Sequence, residues 1–129
     1  MSKGHLLDTQ VLSWLEHDPK RLGARTRRIV ERREIFYCTI SVAELSFKRS
    51  LGKYSYQPDL AQRWQDAGIK PLKFDDHAAN AFGRFSPVWV ADPFDRQIMA
   101  VAAANDLVLV TSDRRILAQE FDWVLDATT

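Results

Sequence analysis

Hydrophobic positions along this chain fall in short runs, separated by longer stretches with helical spacing. "HLLD" at 5–8 reads as a strand, and a helix is expected to follow over Thr9–His17. A second helix is expected over 23–33. The run "IFYCTI" at 35–40 is β-branched and aromatic, which suits a strand. "SVAELSFKRSLG" then predicts a helix with Gly52 placed to end it. Another helix is expected over 58–68, again closed by glycine, before a short extended piece, "IKPLKF". Helices at 75–85 and 93–105, a fully apolar strand at 107–110, a short helix from Asp113 and a last strand at "DWVLD" complete the pattern. Strands alternating with helices imply crossover connections and a parallel sheet covered on both faces. The expected class is α/β.

Composition narrows the picture only a little. At 129 residues and 46% hydrophobic, the chain can bury a core of its own, and a single domain over 1–129 is expected. No repeat, low-complexity segment or linker divides it. No apolar run is long enough to span a bilayer, and the start lacks the apolar stretch of a signal peptide. The only cysteine, Cys38, sits inside an apolar run and reads as a buried thiol, so a cytoplasmic protein is expected. The net charge of +1 hides an uneven distribution. "KRLGARTRRIVERR" at 20–33 has Glu31 as its only acid, and such tracts either attract nucleic acid or form a solvated helix face.

In parallel α/β sheets, ligands bind beyond the carboxyl ends of the strands, where the helices begin. Four acids fall at such junctions. Asp8 ends the first strand, Glu44 is expected in the first turn after "IFYCTI", Asp95 opens the helix of "ADPFDRQIMAVAAAN", and Asp113 follows "LVLVTS". Each has a purely structural reading. Asp8, Asp92 and Asp113 can cap helices, Pro93 suits the first helical position, and Ser41 with Glu44 spells a capping box. Together the four raise an electrostatic problem. Like charges about 5 Å apart cost on the order of 3 kcal/mol per pair at an effective dielectric of about 20, whereas each cap contributes about 1 kcal/mol. If the acids converge, either some are protonated or a cation sits among them, and all-oxygen ligation suits Mg²⁺ or Mn²⁺.

"LLDTQVLSWL", "ISVAELSFKRSLGKY", "DPFDRQIMAVAAAND" and "LVLVTSD", in this order and spacing, resemble the PIN-domain ribonucleases, most closely the VapC-type toxins of bacterial toxin–antitoxin pairs. The resemblance covers nearly the whole chain. It implies a three-layer α/β/α sandwich on a mainly parallel sheet, with an RNA-cleaving site dependent on Mg²⁺ or Mn²⁺. Carried over by position, the catalytic and metal-binding acids are Asp8, Glu44, Asp95 and Asp113. Thr111 matches a supporting hydroxyl, and Asp92 reads as cap and orienter. The resemblance also implies inhibition by a small antitoxin and a homodimer. Gln10 and "VWVA" stand where many relatives carry histidine, which bears on substrate preference more than on the metal site.

On this reading the acids would hold one or two ions for hydrolysis of RNA phosphodiester bonds. Arg25, Arg28 and Arg32, on one helix face, with Lys48, Arg49 and Lys53, would neutralise the RNA backbone. Two alternatives stay open on the residues alone: a Mg²⁺-dependent phosphoacceptor or phosphatase, and a non-catalytic module whose acids only cap helices. The three histidines show no zinc spacing, the four tryptophans suit core or interface, and no glycine-rich phosphate loop appears.

Overall fold

The computed structural model describes residues 3–54 and 59–129. Among them five strands form one sheet: β1 (His5–Leu7), β2 (Ile35–Cys38), β3 (Lys70–Leu72), β4 (Val108–Thr111) and β5 (Val124–Asp126). Their order is β3-β2-β1-β4-β5, and every pairing is parallel. The helices are α1 (Thr9–His17), α2 (Ala24–Arg32), α3 (Thr39–Ser50), α4 (Leu60–Asp66), α5 (Asp76–Phe82), α6 (Pro93–Ala104) and α7 (Arg114–Leu117). A 3-10 turn at Pro19–Arg21, which periodicity does not announce, links α1 to α2.

Alternation along the strands sends side chains to two separate cores. Leu6, Cys38 and Leu109 pack on one face with Ile98, Met99 and Val101 of α6. Leu7, Tyr37 and Val110 pack on the other with Val11 and Leu12 of α1, Ile29 of α2, Leu45 of α3 and Trp64 of α4. The result is a three-layer α/β/α sandwich. Each fully buried aliphatic side chain contributes roughly 1.5–3 kcal/mol, so both layers are held by burial rather than by helix propensity.

Most expected elements are present, with shifted ends. The strand expected over 35–40 stops at Cys38, because the Ile40 amide bonds to Cys38 Sγ (3.4 Å) and α3 starts at Thr39. Glu44 therefore lies in the second turn of α3, not the first. Ser41 is buried inside the helix, so the expected Ser41–Glu44 capping box does not form. The helix expected from 58 runs from Leu60, and Pro58 lies outside the described residues. Gly52 and Gly68 take the left-handed conformation (φ +71° and +88°) just past α3 and α4, as helix-ending glycines do. The described residues include no helix long and apolar enough to cross a membrane.

Candidate functional site

Because the sheet is parallel, β1, β2 and β4 end at the same edge, and the helices after them begin there. The register pairs Leu7 of β1 with both Tyr37 and Val110. Asp8, Glu44, Asp92, Asp95 and Asp113 line one cavity of about 360 Å³ at this edge, together with Lys48. The four acids singled out in the sequence come together, and Asp92 joins them.

Three of these side chains both cap a helix and line the cavity. Asp8 Oδ1 accepts from the Val11 amide (2.9 Å) and starts α1. Its Oδ2 accepts from the Thr111 hydroxyl at the end of β4. Thr111 Oγ1 in turn accepts from the Asp113 amide (3.0 Å), so one buried hydroxyl ties two of the acidic junctions together. Asp113 Oδ1 caps α7 through the amides of Arg115 (2.8 Å) and Ile116 (3.2 Å). Asp92 Oδ1 caps α6 through Phe94 (2.8 Å) and Asp95 (3.4 Å). Asp95, in the first turn of α6, has no hydrogen-bonded side-chain partner among the described residues, and its carboxyl faces the other acids.

Glu44 is held differently. Although buried, it accepts from the Thr9 hydroxyl (2.7 Å) and pairs with Lys48 Nζ (3.0 Å) one turn along α3. Thr9 also pairs with Ser41 (2.9 Å), joining α1 to α3 beneath the cavity. Sequence reasoning misses Thr9 and Ser41. The available signal is that Thr9 follows Asp8 at a strand-to-helix junction, where a hydroxyl reads as an ordinary first-turn residue.

The crowding shows in the acidities. Burial lifts Asp8 to about 6, against the hydrogen bonds from Thr111 and Val11, with Asp113 and Glu44 adding to the rise. Burial also lifts Asp95, to about 8, reinforced by Asp92, Asp113, Glu44 and Asp8. Both carboxyls are acidic oxygens short of positive charge. The donor set, all oxygen and mutually repelling, fits a hard divalent cation in chemistry. As the side chains stand, no three acids, histidines or cysteines among the described residues are gathered closely enough to ligate one ion. Repulsion and the cap bonds account for that spacing, since each of Asp8, Asp92 and Asp113 has one oxygen turned to a helix end.

The basic residues divide between two places. Lys48 and Lys53 line the acidic cavity. Arg25, Arg28 and Arg32 surround a second cavity at the opposite edge of the sheet, next to His5 and Val108, the first residues of β1 and β4. Arg49 is exposed on α3 and lines neither cavity. The arginine face expected to meet RNA is therefore at the end of the strands opposite the acids. Helix α2 runs into β2 at its starting end, whereas α1, α3, α6 and α7 supply the acidic edge. Of the histidines, His5 is half-buried, and His17 pairs with Glu16 (3.4 Å).

Comparison with known proteins agrees with this architecture. Three solved structures share the fold along nearly the whole chain. VapBC2 from Rickettsia felis bound to a DNA fragment from its promoter has a TM-score of 0.66 at 17% identity, covering 95% of this chain and 96% of that one. A toxin–antitoxin complex from Klebsiella pneumoniae has a TM-score of 0.66 at 16% identity, covering 95% and 97%. VapBC-1 from nontypeable Haemophilus influenzae has a TM-score of 0.65 at 19% identity, covering 98% and 99%. Among curated protein sequences, no relative matches. The PIN-domain family model matches residues 5–122, a span that runs from the first strand through every acid of the cavity, and the chain belongs to the PIN-domain family.

Proposed function

We propose that this protein is a divalent-metal-dependent endoribonuclease that acts as the toxin of a toxin–antitoxin pair. The observation that carries the reading is the gathering of Asp8, Glu44, Asp92, Asp95 and Asp113 on one cavity at the carboxyl edge of a PIN-family sheet. Such a concentration of carboxylates is unfavourable without a counter-charge, and two of them are already driven towards neutrality. Asp8, Asp95 and Asp113, with Glu44, would hold Mg²⁺ or Mn²⁺. Such an ion, when bound, supplies positive charge that acidifies water and stabilises the scissile phosphate and leaving oxygen.

The chain's own residues have separate tasks. Thr111 orients Asp8 through its hydroxyl and fixes Asp113 through the amide it accepts from. Thr9 and Lys48 hold Glu44 on two sides, so its carboxylate is positioned before any ligand arrives. Asp92 sets the start of α6 and thereby the place of Asp95. Lys48 and Lys53 stand at the cavity as the nearest cations for RNA phosphates beside the acids. Cleavage of RNA by wild type and Asp8→Asn, with and without Mn²⁺, tests the reading. Metal-independent cleavage, or an active Asp8→Asn variant, would refute it.

The antitoxin half of the proposal rests on the surface beside the cavity. Phe47 of α3 and Leu51 just past its end are about half exposed (53% and 52%). Phe47 stands 6.2 Å from Phe94, centroid to centroid, next to Asp95. Val88 and Trp89 are also exposed, just ahead of α6. A small partner that lays an apolar segment here and offers Arg or Lys to the acids would block the site. The similar structure from Klebsiella pneumoniae is itself a toxin–antitoxin complex, which supports the same reading. Co-purification with the product of the neighbouring gene, followed by a cleavage assay in excess Mn²⁺, checks this: the complex should cut more slowly than the free chain. The reading includes a homodimer, which sedimentation of the free chain tests.

A further inference from the structure

The second cavity has the opposite character. Lys3, Arg25, Arg28, Arg32 and Arg33 line it together with His5, and among the described residues no carboxylate does. At about 650 Å³ it is the roomier of the two, with space for more than one phosphate group. Among the described residues, none of the four arginines has an ion-pair partner, although carboxylates nearby serve other cations: Asp106 pairs with Lys3 (3.1 Å) and Glu34 with Lys70 (2.5 Å). The fold therefore places four guanidinium groups around one opening and supplies no anion for them.

The arginine face is also held in place. Helix α2 buries Thr26 and Ile29 on its inner side. Its first turn is tied to the last residues of the chain, through Gly23 N–H to the Ala127 carbonyl (3.0 Å) and Thr26 N–H to the Thr129 carbonyl (3.1 Å). A Cβ at Gly23 would come within 2.0 Å of the Thr129 carbonyl oxygen, so only glycine permits this approach. The anchored helix fixes where the exposed side chains of Arg25, Arg28 and Arg32 emerge. On the cavity wall, His5 Nδ1 is buried without a hydrogen-bond partner. Burial, then Arg33 and Arg25, lower the pKa of its ring and so disfavour its charged form.

We infer that this arginine-lined cavity binds phosphates of the RNA at a point remote from the one that is cut. The inference rests on the reading of the chain as an RNA-cleaving enzyme. Guanidinium forks match phosphate oxygens in a bidentate manner. The only apolar side chains on the described wall are Ile29 and Val108, and no Phe, Tyr or Trp lines it, so the cavity is built for the charged backbone rather than for base sequence. It lies at the start of β1 and the acids lie past its end, three residues and so roughly 10 Å further along the strand, with the packed sheet between. The arginines therefore contribute to affinity without touching the scissile phosphate, and one RNA molecule engages both edges of the sheet.

The test is binding of a fluorescently labelled 20-nucleotide single-stranded RNA, read by anisotropy in EDTA over a range of salt, with cleavage in Mn²⁺ measured separately. Arg28→Gln/Arg32→Gln should weaken binding about tenfold or more and lower the salt slope by about 1.4, the value for two lost phosphate contacts on single strands. Lys20→Gln/Arg27→Gln removes the same charge outside the cavity and should have a clearly smaller effect. An equal effect from both pairs overturns the inference, since the arginines would then act only through net charge. An unchanged salt slope in Arg28→Gln/Arg32→Gln overturns it as well. Loss of binding to a DNA duplex with none to RNA overturns the assignment to RNA. Arginine-dependent RNA binding by a chain that never cuts RNA would support the cavity while refuting the nuclease reading. Normal cleavage with KM unchanged in the arginine variant would do the reverse.

Discussion

The two edges of the sheet are opposites in charge and alike in design. Strand β1 has His5 at its start and Asp8 just past its end, and each is driven towards its neutral form by burial and like charges around it. At one edge the crowd is carboxylate, at the other guanidinium. The formal net charge of +1 conceals this separation entirely. The fitting complements differ: a compact divalent cation suits crowded carboxylates and an extended polyanion suits guanidinium groups. The acidic edge is also the better buried, with Asp8, Glu44 and Thr111 in the interior, whereas the four arginines are exposed. Electrostatic effects are therefore larger at the acidic edge and more sensitive to salt at the basic one.

That contrast sets the order of expected effects. Asp8→Asn, Asp95→Asn and Asp113→Asn should each lower RNA cleavage by about two orders of magnitude or more, since the acids act as one unit. Thermal unfolding of the same variants without metal should be unchanged or moved to higher temperature, because each removes a repelling charge. A near-active Asp95→Asn protein would break the comparison at its acidic end.

Stability against pH sharpens the same point. Asp8 and Asp95 are raised, so the folded chain holds more protons than the unfolded one from about pH 4 up to about 6 and 8. The stabilisation is present at low pH and is lost as pH rises through the folded values. Metal-free protein should therefore melt at a higher temperature at about pH 5.5 than at about pH 8.5. Across that interval the Asp8 carboxyl, raised from 3.8 to about 6, contributes on the order of 1 kcal/mol, and Asp95, raised to about 8, the larger share. Saturating Mn²⁺ should reverse the trend by stabilising the protein most at the higher pH. A metal at about a hundred times its dissociation constant adds about 2.7 kcal/mol. Calorimetry at the two pH values, with and without Mn²⁺, measures both.

Smaller effects separate the supporting residues. Thr111→Val leaves an Asp8 oxygen and the Asp113 amide without their partner, and should cost about 1–3 kcal/mol in denaturant unfolding. Asp92→Ala removes a cap at the exposed start of α6 and should cost about 1 kcal/mol. If Asp92→Ala instead abolished cleavage at unchanged stability, Asp92 would belong with the ligands.

Much of this molecule is legible along the chain. Alternating apolar runs and helical spacing give the parallel α/β class, and the junctions after β1, β2 and β4 mark Asp8, Glu44 and Asp113; Asp95 departs from the expectation, because α6 follows α5 and not a strand. Cap chemistry is local and readable, so Asp8, Asp92 and Asp113 are correctly placed at helix starts. What the sequence by itself left open is everything that depends on distance between elements. Whether an acid caps a helix or faces its fellow acids was not decidable from spacing, and in the folded chain Asp8, Asp92 and Asp113 do both. The Thr9–Glu44 and Thr111–Asp8 bonds join residues 35 and 103 positions apart, so no local pattern pairs them, although the family resemblance marks Thr111 as a supporting hydroxyl. The basic tract was visible as charge, but its location was not. Only the parallel register, which starts β1, β2 and β4 together at the edge opposite the acids, put Arg25, Arg28 and Arg32 where they cannot reach the acidic cavity.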